Sequence, residues 1–389
     1  MKALVTGGAG FIGSHIADAL LARGYEVRVL DGLEPRVHPR GRPSYVHAGF
    51  EFLEGDVRSR EKLERALEGV EVVFHQAAYQ DYMPDYSKFF HANTVSTALL
   101  FEIIREKRLP VSKVIVASSQ SVYGEGQYYC KTHGLILPEA RPQPQLDRGE
   151  WDLHCPACQG SMVPVLLRES RANPAGPYGV SKYAQEIAAL RLGRLLGIHT
   201  SALRYSIVQG ARQSFYNAYS GICRIFTRAF RAGKAPVIFE DGNQLRDYIH
   251  ISDVVAANLL VLDDPRADGQ AFNVGSGRAT TVLDYARVLQ QKMRAPFSPE
   301  IPGSYRVGDV RHTVSSVAKL EALGWKATKG LNEIFDDYLA WLDATPDSGD
   351  YLTPAAQAME RSGVVRRASV SPALSVSAGP RAKETAAAG

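Results

Sequence analysis

The chain has 389 residues, of which 45% are hydrophobic and 22% are charged, and these values are typical of a globular protein with one large or two medium domains. They exclude a chain that is disordered or coiled-coil over most of its length. Lys and Arg number 45 and Asp and Glu 41, so the net charge of +4 gives no electrostatic footprint for nucleic acid. No apolar run approaches the roughly 18 residues that span a bilayer, and the first residues are not typical of a secretory signal. We therefore expect a cytoplasmic protein with no membrane or nucleic-acid partner.

Short apolar segments alternate with helical patterns along the first 120 residues. Strand candidates occur at residues 3–5, 27–30, 52–53, 70–74 and 114–116, and helix-like stretches separate them. This alternation predicts an α/β fold, in which a doubly wound parallel sheet carries helices on both faces.

The rest of the chain departs from this rhythm in three places. Residues 125–172 are rich in proline, polar residues and cysteine, and they indicate an insertion into the first domain, which we place at residues 1–205. Shorter elements over 206–345 predict a smaller second α/β domain, from which the chain partly returns to the first sheet near 246–277. Residues 346–389 lack the apolar content for a core, so we expect them to form a disordered tail.

A glycine-rich turn joins the first strand candidate to the first helix candidate. The segment from Thr6 to Gly13 reads TGGAGFIG and satisfies the G-x-G-x-x-G pattern from Gly8. Glycines at such a turn let a phosphate approach backbone N–H groups at the start of a helix, where the helix dipole favours an anion. The segment therefore predicts a dinucleotide site. Its cofactor-binding residues are Gly7, Gly10, Phe11, Ile12 and Gly13.

Two aspartates at strand ends extend the predicted dinucleotide site. Asp31 ends the second strand candidate, where a carboxylate accepts hydrogen bonds from ribose hydroxyls and repels a 2′-phosphate. We therefore expect NAD rather than NADP. Asp56, followed by Val57, could reach the adenine from the third strand, although an aspartate at a strand end is also typical of a plain turn.

A serine pair and a tyrosine–lysine pair are the candidates for catalysis. Ser118 and Ser119 follow the strand candidate at 114–117, at the end of the sheet where open α/β folds place their ligands. Tyr178 and Lys182 are four residues apart, so both lie on one side of a helix. A phenol, with a pKa of about 10, is a poor base at neutral pH, but an adjacent ammonium and a bound nicotinamide cation favour the phenolate. Each pair alone is also typical of a helix cap or an exposed helical turn.

Together these motifs resemble the extended short-chain dehydrogenase/reductases, in particular the branch of nucleotide-sugar epimerases and dehydratases. The resemblance covers residues 2 to about 342 and implies a Rossmann-type sheet with a smaller C-terminal substrate-binding α/β domain. The motifs that carry it are TGGAGFIG at 6–13, GDVR at 55–58, HQAA at 75–78, SSQSVYG at 118–124, YGVSK at 178–182, LRY at 203–205, RDYIHISDV at 246–254, FNVGSG at 272–277 and RVGDVRH at 306–312.

The resemblance assigns roles to individual side chains. Tyr178 would be the general base, Lys182 its activator and a ligand of the cofactor ribose, and Ser119 the donor to the reacting sugar oxygen. The other side chains that would line the cofactor site are Ala77, Ala78, Asn93 and Ser118. Those that would bind a nucleotide-sugar substrate are Gln120, Arg246, Arg306 and Asp309. Arginines suit this role because a diphosphate is doubly charged.

The residues after Ser119 bear on the reaction. Dehydratases of this branch carry an Asp-Glu pair there, because loss of water needs an extra acid and base, whereas this chain has Gln120 and Ser121. The resemblance thus implies an NAD-dependent C4 epimerase that acts through a transient 4-keto sugar on dTDP-L-rhamnose, a UDP-hexose or a UDP-uronate. A dehydratase or ketoreductase of the same branch, epimerisation at C2 or C5, and a non-enzymatic NAD-binding scaffold are the alternatives.

The insertion carries two pairs of metal-ligand residues. Cys130 and His133 form a C-x-x-H pair, and Cys155 and Cys158 form a C-x-x-C pair. Two such pairs predict a tetrahedral structural zinc site, which could fold a proline-rich segment that has no core of its own. Unliganded thiols and a disulfide are the alternatives, and His154 is a less favoured ligand. Bacterial epimerases of the branch that act on dTDP-L-rhamnose have a similar insertion.

Two further features concern the substrate and the assembly. Ile207 stands where the family usually has an asparagine that shapes the substrate pocket, which argues against the standard substrate pose. Apolar residues on the helix that follows the fourth strand candidate favour a homodimer, and burial in the core explains them equally well. These residues are Phe89, Phe90, Leu99, Leu100 and Ile103.

Overall fold

The computed structural model describes residues 1–81, 84–214, 221–345, 357, 360–361 and 363–369. The strands are β1 Lys2–Thr6, β2 Glu26–Asp31, β3 Glu51–Glu54, β4 Val72–His75, β5 Lys113–Ser119, β6 Tyr128–Cys130, β7 Gly134–Ile136, β8 Met162–Pro164, β9 His199–Tyr205, β10 Ile207–Gln209, β11 Leu245–Arg246, β12 Tyr248–His250, β13 Gln270–Val274, β14 Thr280–Thr281, β15 Ser304–Arg306 and β16 Val365–Arg367. The α-helices are α1 Phe11–Ala22, α2 Arg60–Leu67, α3 Tyr86–Phe89, α4 Ser96–Glu106, α5 Gln143–Asp147, α6 Pro177–Leu196, α7 Ile222–Arg231, α8 Ile251–Asp263, α9 Val282–Met293, α10 Ala318–Glu321 and α11 Leu331–Ala344.

A parallel sheet of seven strands forms the centre of the molecule, in the order β13-β9-β5-β4-β1-β2-β3. Side chains alternate between its two faces: Val5 and Phe74 belong to one buried apolar cluster, and Leu4 and Val73 belong to the other. Both faces are apolar because helices cover both, as parallel sheets require. The sheet confirms the predicted doubly wound α/β fold.

Each face of the sheet has its own helices. Ile16 of α1 and Val254 of α8 pack with Val5 on one face, whereas Leu63 of α2 and Leu100 of α4 pack with Leu4 on the other. Helix α6 contacts the second face beside β5 and β9. It begins at a proline, which suits the first turn of a helix, and it ends at a glycine in the left-handed conformation. These ends fix the helix that carries Tyr178 and Lys182.

The second half of the chain builds a smaller lobe and also returns to the central sheet. Helices α7, α9 and α11 bury a separate apolar cluster that includes Phe226, Tyr285 and Phe335. Strand β13, at residues 270–274, pairs in parallel with β9 and forms the outer edge of the sheet. The stretch predicted to return, residues 246–277, therefore supplies both an edge strand and the covering helix α8.

The insertion has a small fold of its own. Strands β7, β6 and β8 form an antiparallel sheet in that order, and Tyr128, Leu153 and Met162 are buried together beside it. The strands have three residues each, which is too short for an alternating pattern to stand out in the sequence. The small sheet of the insertion therefore could not be predicted from its proline-rich sequence.

The prediction of a disordered tail from residue 346 onwards is wrong for residues 363–369. Strand β16 pairs antiparallel with β15, with Arg306 opposite Val365, and the Ser369 amide donates to the Asp147 carbonyl oxygen at 2.9 Å. Three paired residues with no apolar cluster of their own give no signal in composition. Residues 346–356, 358–359, 362 and 370–389 of the predicted tail lie outside the described residues.

Burial explains most of the apolar residues that suggested a dimer. Phe89, Leu100 and Ile103 are at most 1% exposed in the single chain, and Phe90 and Leu99 are partly buried. In the part of the chain that the structure describes, no helix combines the length and the apolar character needed to cross a membrane.

Candidate functional site

The glycine-rich turn lies at the carboxyl end of β1 and is tightly folded. Gly7 has a φ of +67° and its amide donates to the Leu30 carbonyl oxygen at 2.8 Å. A Cβ on Gly13 would lie 2.3 Å from the Gly7 carbonyl oxygen, so a side chain cannot be accommodated there. Gly10 precedes Phe11 and Ile12 at the start of α1, and a Cβ on Gly10 would contact only the Gly7 carbonyl oxygen. The N-terminus of α1 therefore presents bare backbone, which fits a dinucleotide phosphate.

Asp31 is fixed beside this turn. Its carboxylate accepts hydrogen bonds from the amides of Ala9 and Leu33, both at 2.9 Å, and it is 8% exposed. Tyr45 also donates to the Ala9 carbonyl oxygen at 2.8 Å. Because each carboxylate oxygen has a second lone pair, Asp31 is held in place and can still accept from ribose hydroxyls.

Asp56 lies at the end of β3 and pairs with a neighbour. Its carboxylate accepts from the Arg58 amide at 2.8 Å and forms an ion pair with the Arg58 guanidinium at 2.5 Å. Val57 is buried beside it. These contacts agree with the plain turn role, and adenine binding by Asp56 stays a prediction.

Asn93 connects the loop after β4 to α6. Its side chain accepts from the Tyr79 amide at 2.8 Å and donates to the Tyr79 carbonyl oxygen at 3.1 Å and to the Ser181 hydroxyl at 2.9 Å. It lies in a π-helical turn, Phe90–Val95, a feature common at functional sites. Ala77 and Ala78 precede Tyr79 in this loop, and the Ala77 amide donates to the Thr6 hydroxyl at 3.2 Å. Asn93 thus shapes the wall of the predicted cofactor cleft.

Ser119 and Tyr178 meet at the carboxyl end of β5. Ser119 is the last residue of that strand, Tyr178 is the second residue of α6, and the two side chains are close enough for Ser119 to influence the pKa of the phenol. Burial raises the pKa of Tyr178 to about 12, and the Ser119 side chain acts to lower it. In the chain alone, loss of water around the phenol outweighs the effect of Ser119. The shift toward phenolate, which also depends on a bound nicotinamide cation, stays a prediction.

Lys182 lies one turn along α6 and is 1% exposed. Its Nζ donates to the Gln185 side-chain oxygen at 2.7 Å, and Gln185 in turn donates to the Thr97 hydroxyl at 3.1 Å. Burial lowers the pKa of Lys182 to about 7, although the Glu186 carboxylate acts to raise it. The amine is thus held in a polar pocket of α6 and titrates near neutral pH.

A buried ionic network lies behind the catalytic candidates. Ser118 is among the predicted cofactor residues, but its hydroxyl donates to Glu186 at 2.6 Å. Glu186 also accepts two hydrogen bonds from Arg204, at 2.6 and 2.9 Å. The network joins β5, α6 and β9, so the Ser118 side chain helps to fix these three elements relative to one another. Sequence reasoning missed Glu186. Its position one turn after Lys182, on the same side of α6, could have indicated that it lies near the site.

The predicted substrate residues of the second lobe converge on one segment. Arg246 donates to the carbonyl oxygens of Val310 and Arg311 at 2.8 and 2.9 Å, and its guanidinium lies 3.5 Å from the Asp309 carboxylate. Arg306 lies 3.7 Å from the same carboxylate. Two arginines and an aspartate therefore share a small region, as expected for a site that binds a diphosphate and a ribose.

Several buried polar groups near the predicted substrate region have no hydrogen-bond partner among the described residues. Among the described residues nothing hydrogen-bonds to Gln120 Oε1 or Ser121 Oγ. Ile207 lies in β10 beside the apolar cluster of the second lobe. Two residues further, on the same face of that strand, Gln209 is fully buried and neither of its side-chain polar atoms has a partner there. Since buried polar groups are nearly always paired, these side chains are candidates to contact a ligand. Gln209 was not predicted.

The four predicted metal ligands of the insertion lie together. Their ligand atoms are all within 4.8 Å of one another. The Cys130 sulfur is 3.7 Å from the Cys158 sulfur and 3.7 Å from His133 Nδ1, and the Cys155 sulfur is 3.5 Å from that nitrogen. Tetrahedral zinc requires about 3.8 Å between two sulfurs and about 3.5 Å between sulfur and nitrogen. All four cysteines of the chain are described and are free thiols, and His154 lies outside the cluster.

Known proteins are similar in sequence to this chain over most of its length. The sequence profile of the NAD dependent epimerase/dehydratase family matches residues 3–138 and 160–275, so the unmatched residues 139–159 fall inside the insertion. A dTDP-L-rhamnose 4-epimerase of Burkholderia thailandensis is 33% identical over 348 residues, which are 88% of this chain and 94% of that protein. A UDP-glucose 4-epimerase of Mycolicibacterium smegmatis is 32% identical over 349 residues, 86% of this chain and 96% of that protein.

Solved structures resemble this fold at similar coverage. A UDP-glucose 4-epimerase of Thermotoga maritima, solved with UDP-glucose, matches with a TM-score of 0.71 and 29% identity over 88% of this chain and 99% of that one. A UDP-glucose 4-epimerase of Thermus thermophilus, solved with NAD, matches with a TM-score of 0.68 and 27% identity over 89% of this chain and 100% of that one.

Proposed function

The chain belongs to the NAD dependent epimerase/dehydratase family, and on this basis we propose that it is an NAD-dependent nucleotide-sugar 4-epimerase. The similar proteins described above are 4-epimerases that act on nucleotide sugars. The family assignment confirms the resemblance seen in the sequence motifs. Its cofactor is NAD, which suits the bare N-terminus of α1 and the fixed Asp31 carboxylate.

One observation carries the choice of reaction. The Ser119 and Tyr178 side chains lie next to each other at the carboxyl end of β5, and the two residues after Ser119 are Gln120 and Ser121. The site therefore offers a base and a hydrogen-bond donor to one sugar hydroxyl, without the additional acid and base that elimination of water needs. This arrangement supports removal and return of hydrogen at a single carbon, which is epimerisation.

Tyr178 and Ser119 would have different roles toward the sugar hydroxyl. When bound, the nicotinamide supplies the acceptor and later the donor of the hydride. Tyr178 would take the hydroxyl proton and return one afterwards, while Ser119 donates a hydrogen bond to the same oxygen. For the phenol to act as a base near neutral pH, its pKa must fall from about 12, and the Lys182 ammonium one turn along α6 favours that fall.

Arg246, Arg306 and Asp309 would hold the nucleotide part of the substrate. The two guanidinium groups are suited to the diphosphate and the carboxylate to the ribose hydroxyls. Gln120 and Gln209 bring buried amide groups without partners among the described residues, and the sugar hydroxyls could satisfy them. We place dTDP-L-rhamnose first among the substrates, because a relative over nearly the whole chain acts on it, and UDP-hexoses or UDP-uronates second.

The test of this function is a substrate panel with the purified full-length protein. Nuclear magnetic resonance would follow dTDP-L-rhamnose, UDP-glucose and UDP-glucuronate together with their C4 epimers. We expect interconversion of one pair, without net change in NADH absorbance and without loss of water. A product lighter by one water, or stoichiometric consumption of NADH, would instead identify a dehydratase or a ketoreductase.

We further propose that Cys130, His133, Cys155 and Cys158 bind one structural zinc ion. The distances among their ligand atoms agree with tetrahedral geometry, and a disulfide would require sulfurs about 2.0 Å apart. Four protein ligands leave no open position for a substrate, so the metal would stabilise the insertion. Free thiols of this kind persist in a reducing compartment, which supports a cytoplasmic location.

We also propose a homodimer. Apolar side chains remain exposed on the neighbouring helical segments of the first domain: Val95 is 49% exposed just before α4, and Val180 and Ile187 of α6 are 38% and 44% exposed. A second copy of the chain could cover them in a symmetric contact. Sedimentation velocity at micromolar concentration would distinguish a dimer from a monomer.

A further inference from the structure

The insertion contacts the segment that carries the predicted substrate residues. We define the insertion loop as residues 141–152 and the arginine segment as residues 304–311. Tyr305 of the arginine segment donates a hydrogen bond to Asp147, and its ring lies 6.0 Å from that of Trp151. Leu146, Trp151 and Tyr305 form a small buried cluster. The insertion loop lies between His133 and Cys155 in sequence, so both of its ends lead into the cysteine cluster.

Arg141 is the central side chain of this contact. Its side chain is 1% exposed and lies 3.1 Å from the Glu125 carboxylate and 2.9 Å from the Glu240 carboxylate. It also donates to the Trp151 carbonyl oxygen at 2.9 Å and to the Asp309 carbonyl oxygen at 2.8 Å. A single planar guanidinium thus joins the insertion to the backbone of the arginine segment.

Arg311 extends the buried ionic network of Arg141. Its side chain is 2% exposed and pairs with Glu240 at 2.8 Å and with Asp152 of the insertion loop at 2.9 Å. Its amide donates to Glu125 at 2.7 Å. Arg311 also pairs with Asp241 at 2.7 Å, so two buried arginines are shared among two buried glutamates and two more exposed aspartates. Removal of one charge would leave another unpaired, so the arrangement tolerates little movement.

We infer that Arg141 is a positioning residue for the nucleotide-diphosphate subsite. The backbone of residues 309–311 accepts hydrogen bonds from two arginines: Arg141 of the insertion donates to the Asp309 carbonyl oxygen, and Arg246 donates to those of Val310 and Arg311. Arg141 thereby sets the placement of Asp309, against which Arg246 and Arg306 lie. It falls in residues 139–159, which the family profile does not match, so this support is an addition to the family core.

This inference rests on the proposed function, and its test measures nucleotide binding separately from NAD binding. The main variant is Arg141→Gln combined with Glu125→Gln, which removes one positive and one negative charge and so leaves the net charge of the buried network unchanged. The control is Arg148→Gln, because Arg148 lies in the same loop, is 57% exposed and pairs with Glu150, two residues away. Calorimetry would give the Kd of dTDP and of UDP, and steady-state kinetics would give kcat and KM.

We expect the double variant to raise the nucleotide Kd and the KM at least tenfold, with kcat within about twofold of wild type, unchanged bound NAD and an unchanged control. A purely structural role would lower NAD content and kcat together. Wild-type Kd and KM in a folded, NAD-bound double variant would overturn the inference. If the wild type binds neither nucleotide and epimerises no sugar, the proposed function itself fails.

A second variant keeps the inference testable if the double variant does not fold. Tyr305→Phe removes only the hydroxyl that donates to Asp147, next to Arg306 in β15. We expect KM to rise about two- to threefold, whereas Tyr129→Phe, at a 43% exposed tyrosine of the same insertion, leaves KM unchanged. Equal KM values in both variants and the wild type would contradict the inference.

Discussion

Tyr178 and Lys182 lie one helical turn apart, and burial acts against the charged form of each. The pKa of the phenol is raised to about 12, and the pKa of the amine is lowered to about 7. Both shifts have desolvation as their main cause, because a low dielectric disfavours a phenolate and an ammonium alike. The pair is therefore nearly uncharged at slightly alkaline pH in the chain alone. For the proposed role of Tyr178 as a base, binding of NAD and substrate must first change this balance.

The lowered pKa of Lys182 predicts a pH-dependent stability. Unfolded lysine has a pKa of about 10.4, so between about pH 7 and pH 10 the unfolded chain binds more protons and stability rises with pH. Below about pH 7 the destabilisation by this group is complete, on the order of a few kcal/mol. NAD-free Lys182→Met should thus unfold at higher denaturant concentration than wild type at pH 6.5, with a difference that shrinks toward pH 10. A difference independent of pH would contradict the assignment.

Glu186 gives a second prediction at this scale. Its carboxylate is 3% exposed, accepts two hydrogen bonds from Arg204 and one from Ser118, and ties α6 to β5 and β9. Glu186→Gln leaves the Arg204 charge unpaired in the interior and should reduce the free energy of unfolding by about 3–5 kcal/mol. Glu150→Gln, at a 50% exposed carboxylate paired with Arg148, should leave it nearly unchanged, because solvent screens an exposed ion pair. Denaturant unfolding measures both.

Local sequence patterns could indicate Ser119, Tyr178 and Lys182 because their spacing and strand ends are local properties. They could not give the pKa of Tyr178 or the partner of Ser118, since both depend on how α6 packs against β5. Gln209 was missed for the same reason. Its burial without a partner among the described residues is visible only once β10 pairs with β12.

At the scale of elements, the insertion is a small antiparallel sheet with the cysteine cluster at the end of β6. We predict that the purified protein holds one zinc ion per chain and that Cys155→Ser lowers both the metal content and the melting temperature, because the insertion core has few buried apolar side chains. His154→Ala is the matched control, since His154 neighbours Cys155 but lies outside the cluster. Elemental analysis and thermal unfolding would test this. A metal-free protein, or a Cys130–Cys158 disulfide, would count against it.

Strand β16 predicts an effect of truncation. It pairs with β15, which carries Arg306, and the Val307 amide donates to the Val364 carbonyl oxygen at 2.9 Å. A chain that ends at residue 362 loses this pairing, so we expect the KM for the nucleotide sugar to rise severalfold while bound NAD is unchanged. A chain that ends at residue 369 keeps β16 and should behave as wild type. Identical KM values for the two truncations would show that β16 does not support Arg306.

At the scale of the whole molecule, the doubly wound sheet brings the predicted dinucleotide site and the predicted catalytic residues together at the carboxyl ends of its strands. The turn after β1 carries the glycines and the end of β5 carries Ser119, with β4 between them in the sheet. The β-then-α alternation was sufficient to predict this arrangement, because long buried strands have a strong apolar signal. The three-residue strands of the insertion and of residues 365–367 have no such signal, and their pairing depends on distant segments.

The most direct test of the proposed mechanism is Tyr178→Phe, which removes a single oxygen. We would measure epimerisation by nuclear magnetic resonance and bound NAD after denaturation, beside Tyr183→Phe as a tyrosine control on the same helix. The account predicts loss of interconversion by at least about a hundredfold in Tyr178→Phe, with NAD content equal to wild type, because general base catalysis contributes on this scale. Full epimerase activity in the NAD-bound Tyr178→Phe variant would contradict it.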